Sequence, residues 1–532
     1  MDVDQRTGQD NGTMTRFKRE ILPRTIPEAV QRASALWGDF PAIIENGQTH
    51  SFNELWAEAR RCAAACMAHG IGAGSRVAIW APNSRQWIVA AVGAQICGAA
   101  IVPLNTRMKG KEAGDILRRA RVSALFTVSG FLGFDYPALL ADEETPDLKH
   151  TVLIQDGMWE EFLSSGDGVD RQVIDRALNA VTPGTISDIM FTSGTTGAPK
   201  GVLTAHGQVV RMFSDWAERV DVREGDRFMI VNPFFHTFGY KAGWVASLVR
   251  GATILPMAVF DPAKLGDIIE TERVTFIPGP PTIYQMLLIE QEKAGRDFSS
   301  LRVAVTGAAP VPPSLIYRMK NELGMERVVN GYGMTEHGCV CMTPAEASVE
   351  QISASIGTPI PGVEVICANE NGQEVPTGES GEFWVRGYGV MRGYLDDPQA
   401  TAETITTDGW LKTGDIGHKD AEGYLYITDR MKDMYISGGF NCYPAEIEKL
   451  LNDHPGIEMC AVVGMPDERL GEVGKAFVIP RAGVALDPQD VIGWARNAMA
   501  NYKVPRKVVI VDDLPRNAAG KVLRNVLRDL GA

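Results

Sequence analysis

Phe191-Thr-Ser-Gly-Thr-Thr-Gly-Ala-Pro-Lys-Gly201 packs hydroxyls, glycines and one lysine into a single short span. Glycine, lacking a Cβ, lets backbone N–H groups approach an anion closely, and successive N–H groups in such a turn make an anion-binding concavity. Ser193, Thr195 and Thr196 add hydroxyl donors, and Lys200 supplies a movable positive charge. The combination suits a polyphosphate. The apolar Ile189-Met-Phe191 ahead of it reads as a buried strand, so the loop hangs from a sheet edge. It is not a Walker A sequence, which closes on Gly-Lys-Ser/Thr, because Lys200 follows Pro199 and precedes Gly201. Runs of this composition are otherwise solvated loops, so the rest of the chain has to supply the remainder of a site.

The 532 residues, 45% of them hydrophobic, can bury a large core and should divide into several subdomains. A net charge of −14 argues against general nucleic-acid affinity, which rests on lysine and arginine neutralising phosphates. A polyanion here needs a local pocket. The eight cysteines (Cys62, Cys66, Cys97, Cys339, Cys341, Cys367, Cys442, Cys460) contain no Cys-x-x-Cys pair, which predicts buried free thiols and no zinc site or disulfide framework. Met1 to Glu20 is polar and charged, without the apolar core of a signal peptide, so no export and a cytoplasmic location are expected. Trp87 to Leu104 is the most apolar stretch, but Gln95, Gly98 and Pro103 interrupt it. It reads as a buried helix followed by a strand covered on both faces, and no integral membrane segment is expected. Peripheral membrane contact and association into a homo-oligomer are left open.

Short apolar segments alternate with helical patterns through the first part of the chain: Val77-Ala-Ile-Trp80, Ala124-Leu-Phe-Thr-Val128, Arg227-Phe-Met-Ile-Val231, Ala252-Thr-Ile-Leu255, Thr275-Phe-Ile277 and Val303-Ala-Val305. That rhythm predicts layered α/β structure. From Ser353 to Arg392 shorter runs with glycine turns, such as Gly381-Glu-Phe-Trp-Val385, predict an antiparallel sheet or small β-barrel. Beyond Asp429-Arg430 a compact α+β unit is expected, with a helix from Ala445 to Asn452 and strands at Cys460-Ala-Val-Val463 and Ala476-Phe-Val-Ile479. The division falls near Lys432, into residues 1–430 and 431–532, with a hinge rather than a Pro/Gly-rich linker between them.

Four further segments carry chemistry. Asn330-Gly-Tyr-Gly-Met-Thr-Glu336 offers an aromatic face for a base, a hydroxyl for a phosphate and a carboxylate for Mg²⁺, or is an ordinary turn. Trp410-Leu-Lys-Thr-Gly-Asp415 ends in an aspartate that can accept from two ribose hydroxyls, or can cap the next element. Pro233-Phe-Phe-His-Thr-Phe-Gly239 gathers aromatics around His236, a pocket wall or a satisfied core histidine. Leu514-Pro-Arg-Asn-Ala-Ala-Gly-Lys521 puts a lysine on a glycine-containing loop near the C-terminus, where solvated charge is the ordinary case.

Together, and in this order, these segments resemble the adenylate-forming superfamily that includes acyl-CoA synthetases, firefly luciferase and peptide-synthetase adenylation domains. The likeness runs from Gly74-Ser-Arg-Val-Ala-Ile-Trp-Ala-Pro-Asn83 to Lys521. It implies a large N-terminal domain, a small mobile C-terminal lid, and ATP, Mg²⁺ and coenzyme A as cofactors. It further implies that Thr192, Ser193, Gly194, Thr195, Thr196, Gly197 and Lys200 hold the β- and γ-phosphates, while Ala308, Ala309 and Pro310 with Gly331 and Tyr332 bracket adenine. Thr335 would touch the α-phosphate, Glu336 hold Mg²⁺, Asp415 and Arg430 grip the ribose, and Lys521 bridge the substrate carboxylate and α-phosphate. Lys432 would be the lid's pivot, with Ser437, Gly438 and Gly439 along a pantetheine tunnel. The plain alternative for Gly438-Gly439 is a hairpin turn after Met434-Tyr-Ile436.

The same resemblance places the acyl pocket among His236, Phe238, Gly239, Lys241, Thr282, Gly307 and Met334, with Lys241 and Thr282 as polar contacts and His236 also a catalytic candidate. Amino-acid-activating members place an aspartate after the aromatic motif, and Phe238-Gly-Tyr-Lys-Ala-Gly243 has none. An acid without an amine, joined to free coenzyme A, is expected. Several runs, among them Pro278-Gly-Pro-Pro-Thr-Ile-Tyr-Gln285, look most like the bacterial ligases of steroid breakdown, which activate a methylated bicyclic indane-dione propanoate. Medium-chain fatty acids and other alicyclic or aryl acids fit the same motifs. On the same fold a luciferase-like oxygenase and a non-catalytic sensor of nucleotide or acyl-adenylate are rival readings, the sensor weakened by retention of Glu336 and Lys521.

Overall fold

The strand expected ahead of the glycine loop is Ile186–Thr192, and the chain returns antiparallel as Lys200–Ala205 with Thr192 opposite Lys200. This stem hairpin lies in a seven-stranded sheet, flanked by Gly393–Tyr394 on one side and by the parallel strands Ala100–Pro103, Arg76–Trp80, Ala124–Thr127 and His150–Leu153 on the other. The computed structural model describes residues 22–192, 199–307, 311–430, 433–437, 440–442, 444–467, 470–499, 501–516 and 522–530.

A second, nine-stranded sheet is built around the parallel strands Arg327–Met334, Val303–Gly307, Phe276–Pro278, Arg227–Ile230, Thr253–Pro256 and Pro41–Glu45. Side chains alternate across it as the strand period requires. Phe228, Ile254, Phe276, Val303 and Val329 join the core shared with the first sheet, whereas Met229, Leu255, Ile277, Ala304 and Val328 face a separate helix-covered cluster. The apolar Trp87 to Leu104 stretch resolves as expected into helix Arg85–Ile96, N-capped by Ser84, and strand Ala100–Pro103. Among the described residues, no helix is long and apolar enough to cross a membrane.

Strands Val363–Ala368, Gly381–Gly387, Leu411–Lys419 and Leu425–Arg430 make a four-stranded antiparallel sheet in that linear order, the open sheet rather than the closed barrel. The smaller C-terminal domain has its own sheet, in which Tyr435–Ser437, Phe440–Cys442, Ile457–Asp467, Gly471–Pro480 and Lys507–Ile510 take part, and its own apolar clusters. Tyr435 pairs with Cys442 and Ser437 with Phe440, so the two strands on either side of the expected hairpin turn are antiparallel partners. All eight cysteines are buried.

Between the stem hairpin and the segment after His236 lies a buried polar cluster. The Lys241 ammonium sits 2.8 Å from the Asp188 carboxylate, with side chains 3% and 0% exposed, and donates to Thr204 Oγ1 at 3.2 Å. Ser187 Oγ donates to Asp188 at 2.7 Å, and Gln95 Nε2 donates to the Ser187 carbonyl at 3.1 Å and to Tyr240 Oη at 2.9 Å. Tyr240–Val245, which carries Lys241, is a π-helical turn. Such turns are rare and frequently accompany functional sites. Removing one partner of a buried ion pair strands the other charge, at a cost of about 3–5 kcal/mol. Lys241→Met should therefore lower the thermal unfolding midpoint measured by calorimetry, and adding Asp188→Leu should recover most of the loss. A single variant as stable as the parent would refute the pair's structural role.

Candidate active site

The carboxyl ends of the parallel strands form the floor of the site, the usual ligand position in open α/β sheets. Gly307 closes one strand opposite Gly331 on the next. A Cβ at Gly307 would lie 2.5 Å from the Gly331 carbonyl oxygen, so only glycine allows the two strands to approach this closely. Next to Gly331, the Tyr332 hydroxyl donates to the Asp415 carboxylate, bringing together two residues far apart in sequence. Asp415 is buried, and its amide donates to Thr413 Oγ1 at 3.0 Å. Arg430 is its cross-strand backbone partner.

Thr335 and Glu336 occupy the turn that follows strand Arg327–Met334. The Tyr394 hydroxyl donates to Glu336 Oε1 at 3.1 Å, and the Lys200 ammonium lies over the Tyr394 ring, 4.9 Å from its centroid. The loop lysine and the Glu336 carboxylate thus meet at one aromatic ring. Sequence reasoning missed Tyr394, whose only local signal is the run Arg392-Gly-Tyr394 beside a strand-like segment. Burial, and after it the Glu336 charge, raises the Tyr394 phenol above its ordinary pKa. His337 behind Glu336 is buried, with Nδ1 and the Cys339 carbonyl oxygen 3.1 Å apart, and burial pushes its imidazole down to about 4. It is a neutral structural residue at physiological pH.

On the other side, Arg227–Ile230 runs into Asn232 to Gly239. Asn83 clamps this turn by donating to the Asn232 carbonyl at 2.9 Å and accepting from the Phe234 amide at 2.7 Å. Asn232 in turn donates to the Pro278 carbonyl at 3.0 Å. His236 caps the short helix Thr237–Gly239, its Nδ1 accepting from the Phe238 amide at 3.2 Å. Nδ1 is therefore unprotonated and the neutral ring carries its proton on Nε2. His236 is exposed, and partial loss of solvation from the protein around it lowers its pKa. Phe238 is half-buried against the core, and Gly239 is tightly packed: a Cβ there would lie 2.3 Å from the Pro233 carbonyl oxygen. Thr282 is exposed in the first turn of helix Pro281–Ala294, and Met334 is half-buried at its strand end.

Lys241 requires a correction. The expected polar contact for the acyl group instead turns its amine to Asp188 and Thr204, because a buried ammonium needs a counter-charge. Thr192 and Lys200 stand at the mouth of the loop, with Thr192 Oγ1 3.4 Å from the Lys200 carbonyl oxygen. Ser193, Gly194, Thr195, Thr196, Gly197, Ala308, Ala309, Pro310, Lys432, Gly438, Gly439 and Lys521 lie outside the described residues. Ser437 is buried at the end of its strand.

Among the described residues, no group of three or more His, Cys, Asp or Glu could cage a metal. A single carboxylate beside a phosphate-type loop is instead the donor set that suits Mg²⁺, which is held by one or two carboxylates together with substrate phosphates. Glu336 fits that pattern.

The chain is 46% identical over 518 residues to a 3-[(3aS,4S,7aS)-7a-methyl-1,5-dioxo-octahydro-1H-inden-4-yl]propanoyl:CoA ligase of Rhodococcus jostii, covering 95% of this chain and 99% of that one. It is 47% identical over 513 residues to the ligase of the same name from Mycobacterium tuberculosis, covering 96% and 99%. Among solved structures, a Mycobacterium tuberculosis fatty acyl CoA synthetase aligns with a TM-score of 0.75 at 32% identity, over 95% of this chain and 98% of that one. Residues 30–395 match the AMP-binding enzyme family and residues 446–521 its C-terminal domain, so the chain belongs to the AMP-binding enzymes.

Proposed function

We propose that this chain is an AMP-forming acyl-CoA ligase that activates a carboxylic acid with ATP and passes the acyl group to coenzyme A. One observation carries the proposal: the lysine of a phosphate-type loop and the Glu336 carboxylate meet at Tyr394, and the strand leading into the Glu336 turn carries Tyr332, hydrogen-bonded to Asp415. In the first step a carboxylate oxygen attacks the α-phosphorus and the bond to pyrophosphate breaks, with no proton transfer. In the second, the thiolate sulfur of coenzyme A attacks the acyl carbonyl carbon and the bond to AMP breaks.

The roles assigned are these. Residues 192 to 200 cradle the outer phosphates; Ala308, Ala309, Pro310, Gly331 and Tyr332 bracket adenine; Asp415 and Arg430 hold the ribose; and Thr335 meets the α-phosphate. Glu336 would hold Mg²⁺, which when bound offsets charge on the phosphate oxygens. Lys521 bridges the carboxylate and α-phosphate as charge builds there, and losing one such preorganised donor costs roughly 10²–10³ in rate. Neutral His236, with its donor on Nε2, lines the acyl pocket with Phe238, Gly239, Thr282, Gly307 and Met334. Residues 431–532 act as a lid pivoting at Lys432, with Ser437, Gly438 and Gly439 along the path of the pantetheine arm.

For the acid, we propose the methylated bicyclic indane-dione propanoate. The likeness at 46–47% identity over nearly the full length of two ligases named for it supports this choice. So does the composition of Phe238 to Gly243, which has no carboxylate for an amine.

A pyrophosphate-release screen with the indane propanoate and fatty acids of graded length, with and without coenzyme A, tests the substrate. The indane propanoate should give the highest kcat/KM, and a higher value for any fatty acid would overturn the assignment. Lys521→Ala should lose about 10²–10³ in acyl-adenylate formation while still converting supplied acyl-adenylate and coenzyme A to thioester. Equal loss of both steps would remove its assigned role.

A further inference from the structure

Residues 391 to 395 stitch the stem of the nucleotide loop to the turn carrying Glu336. Leu395 N–H donates to the Gly201 carbonyl at 2.7 Å, and Arg392 N–H to the Leu203 carbonyl at 2.9 Å. Met391 N–H donates to the Glu336 carbonyl at 2.8 Å. Tyr394 is anchored at its backbone, paired in register with Val202, with its own amide donating to Thr401 Oγ1 at 2.9 Å. A side chain fixed this way has few places to go. Its hydroxyl proton goes to Glu336 Oε1, its oxygen is also hydrogen-bonded by the Thr404 side chain, and its ring face meets the Lys200 ammonium.

The geometry points to Tyr394 as a positioning residue for nucleotide binding: its O–H aims the Glu336 carboxylate, and its ring docks the Lys200 ammonium, so that the two groups are already in place when a metal-bound polyphosphate arrives. The inference rests on the assignment of Glu336 to Mg²⁺ and of Lys200 to the phosphates. The physical reason for a tyrosine is that one rigid ring can serve both charges, since an aromatic face attracts a cation and a phenol donates to a carboxylate. Phenylalanine would keep the first service and lose the second, and leucine would lose both. Neither substitution touches the backbone anchors, which are amide hydrogen bonds.

The test is calorimetric ATP binding as a function of Mg²⁺ concentration, with no acid present so that nothing turns over. Tyr394→Phe should raise the Mg²⁺ needed for half-maximal enhancement of ATP affinity about tenfold, the worth of one hydrogen bond to a charged group. Metal-free ATP affinity should stay as in the parent. Tyr394→Leu should in addition weaken metal-free ATP binding about two- to fivefold, as expected for a lost cation–π contact. Glu336→Gln should shift the Mg²⁺ requirement, and adding Tyr394→Phe to it should shift it no further, because the two act through one interaction.

A parental Mg²⁺ requirement in Tyr394→Phe, with Glu336→Gln shifted, would overturn the role of Tyr394 alone. A parental requirement in Glu336→Gln would overturn the metal assignment of Glu336 and the inference with it. Equal metal-free affinities in the phenylalanine and leucine variants would remove the docking of Lys200. Tyr394→Phe preserves ring volume, so the decisive arm does not depend on the leucine variant folding.

Discussion

An ammonium and a carboxylate with almost no solvent contact, Lys241 and Asp188, join the two halves of this site. Asp188 belongs to the strand that leads into the nucleotide loop, and Lys241 to the π-helical turn that follows the wall around His236. Taking both charges out of water costs several kcal/mol each, and their attraction offsets that only in good geometry with the remaining polar atoms satisfied. Thr204 and Ser187 supply such partners directly, and Gln95 links the Ser187 carbonyl to Tyr240. Each of them is itself buried, so a displacement of the wall relative to the stem would unpair several polar groups at once. The arrangement therefore resists sliding between the two elements more strongly than apolar packing would.

Around that fixed point the rest of the site is braced by short polar links between strand ends. Asn83 ties the loop after Arg76–Trp80 to the turn at residues 232–234, and Asn232 ties that turn to the end of Phe276–Pro278. Tyr332 ties the nine-stranded sheet to the antiparallel sheet through Asp415, and Tyr394 ties the loop stem to Glu336. The carboxyl ends of parallel strands leave backbone groups and side chains facing one crevice, and these links hold that crevice at one width. Glycine at 239 and 307 allows close approaches, where a Cβ would collide with a carbonyl oxygen.

Much of the fold was legible from period and punctuation. Apolar runs such as Val77-Ala-Ile-Trp80 and Val303-Ala-Val305 are too short for helices and lie between helical patterns, and they form the parallel strands. The stretch from Trp87 to Leu104 broke into a helix and a strand where Gly98 interrupts it, Ser84 marking the helix start. The glycine-punctuated run after Ser353 could close or stay open, since alternation along a strand does not state what its outer neighbour pairs with. The π-helical turn at Tyr240–Val245 carried no local signal, because it arises from how that segment packs against Arg85–Ile96 and the stem hairpin. Lys241 was misjudged for the same reason: a lysine beside an aromatic motif reads as a pocket contact until its distant partner Asp188 is seen.

The sequence by itself determined the family, the order of the motifs and the chemical types present at each, because hydroxyls, glycines, a lysine and a carboxylate at those spacings are local facts. Only the tertiary structure decided which of these groups meet. Lys200 and Glu336 are separated by more than a hundred residues, yet both reach Tyr394, which no motif had singled out. Asp188 and Lys241 likewise become partners only when a strand and a helical turn pack face to face. Proximity of that kind is set by strand pairing and by the need of every buried charge for a counter-charge, and neither is written in any short stretch of the chain.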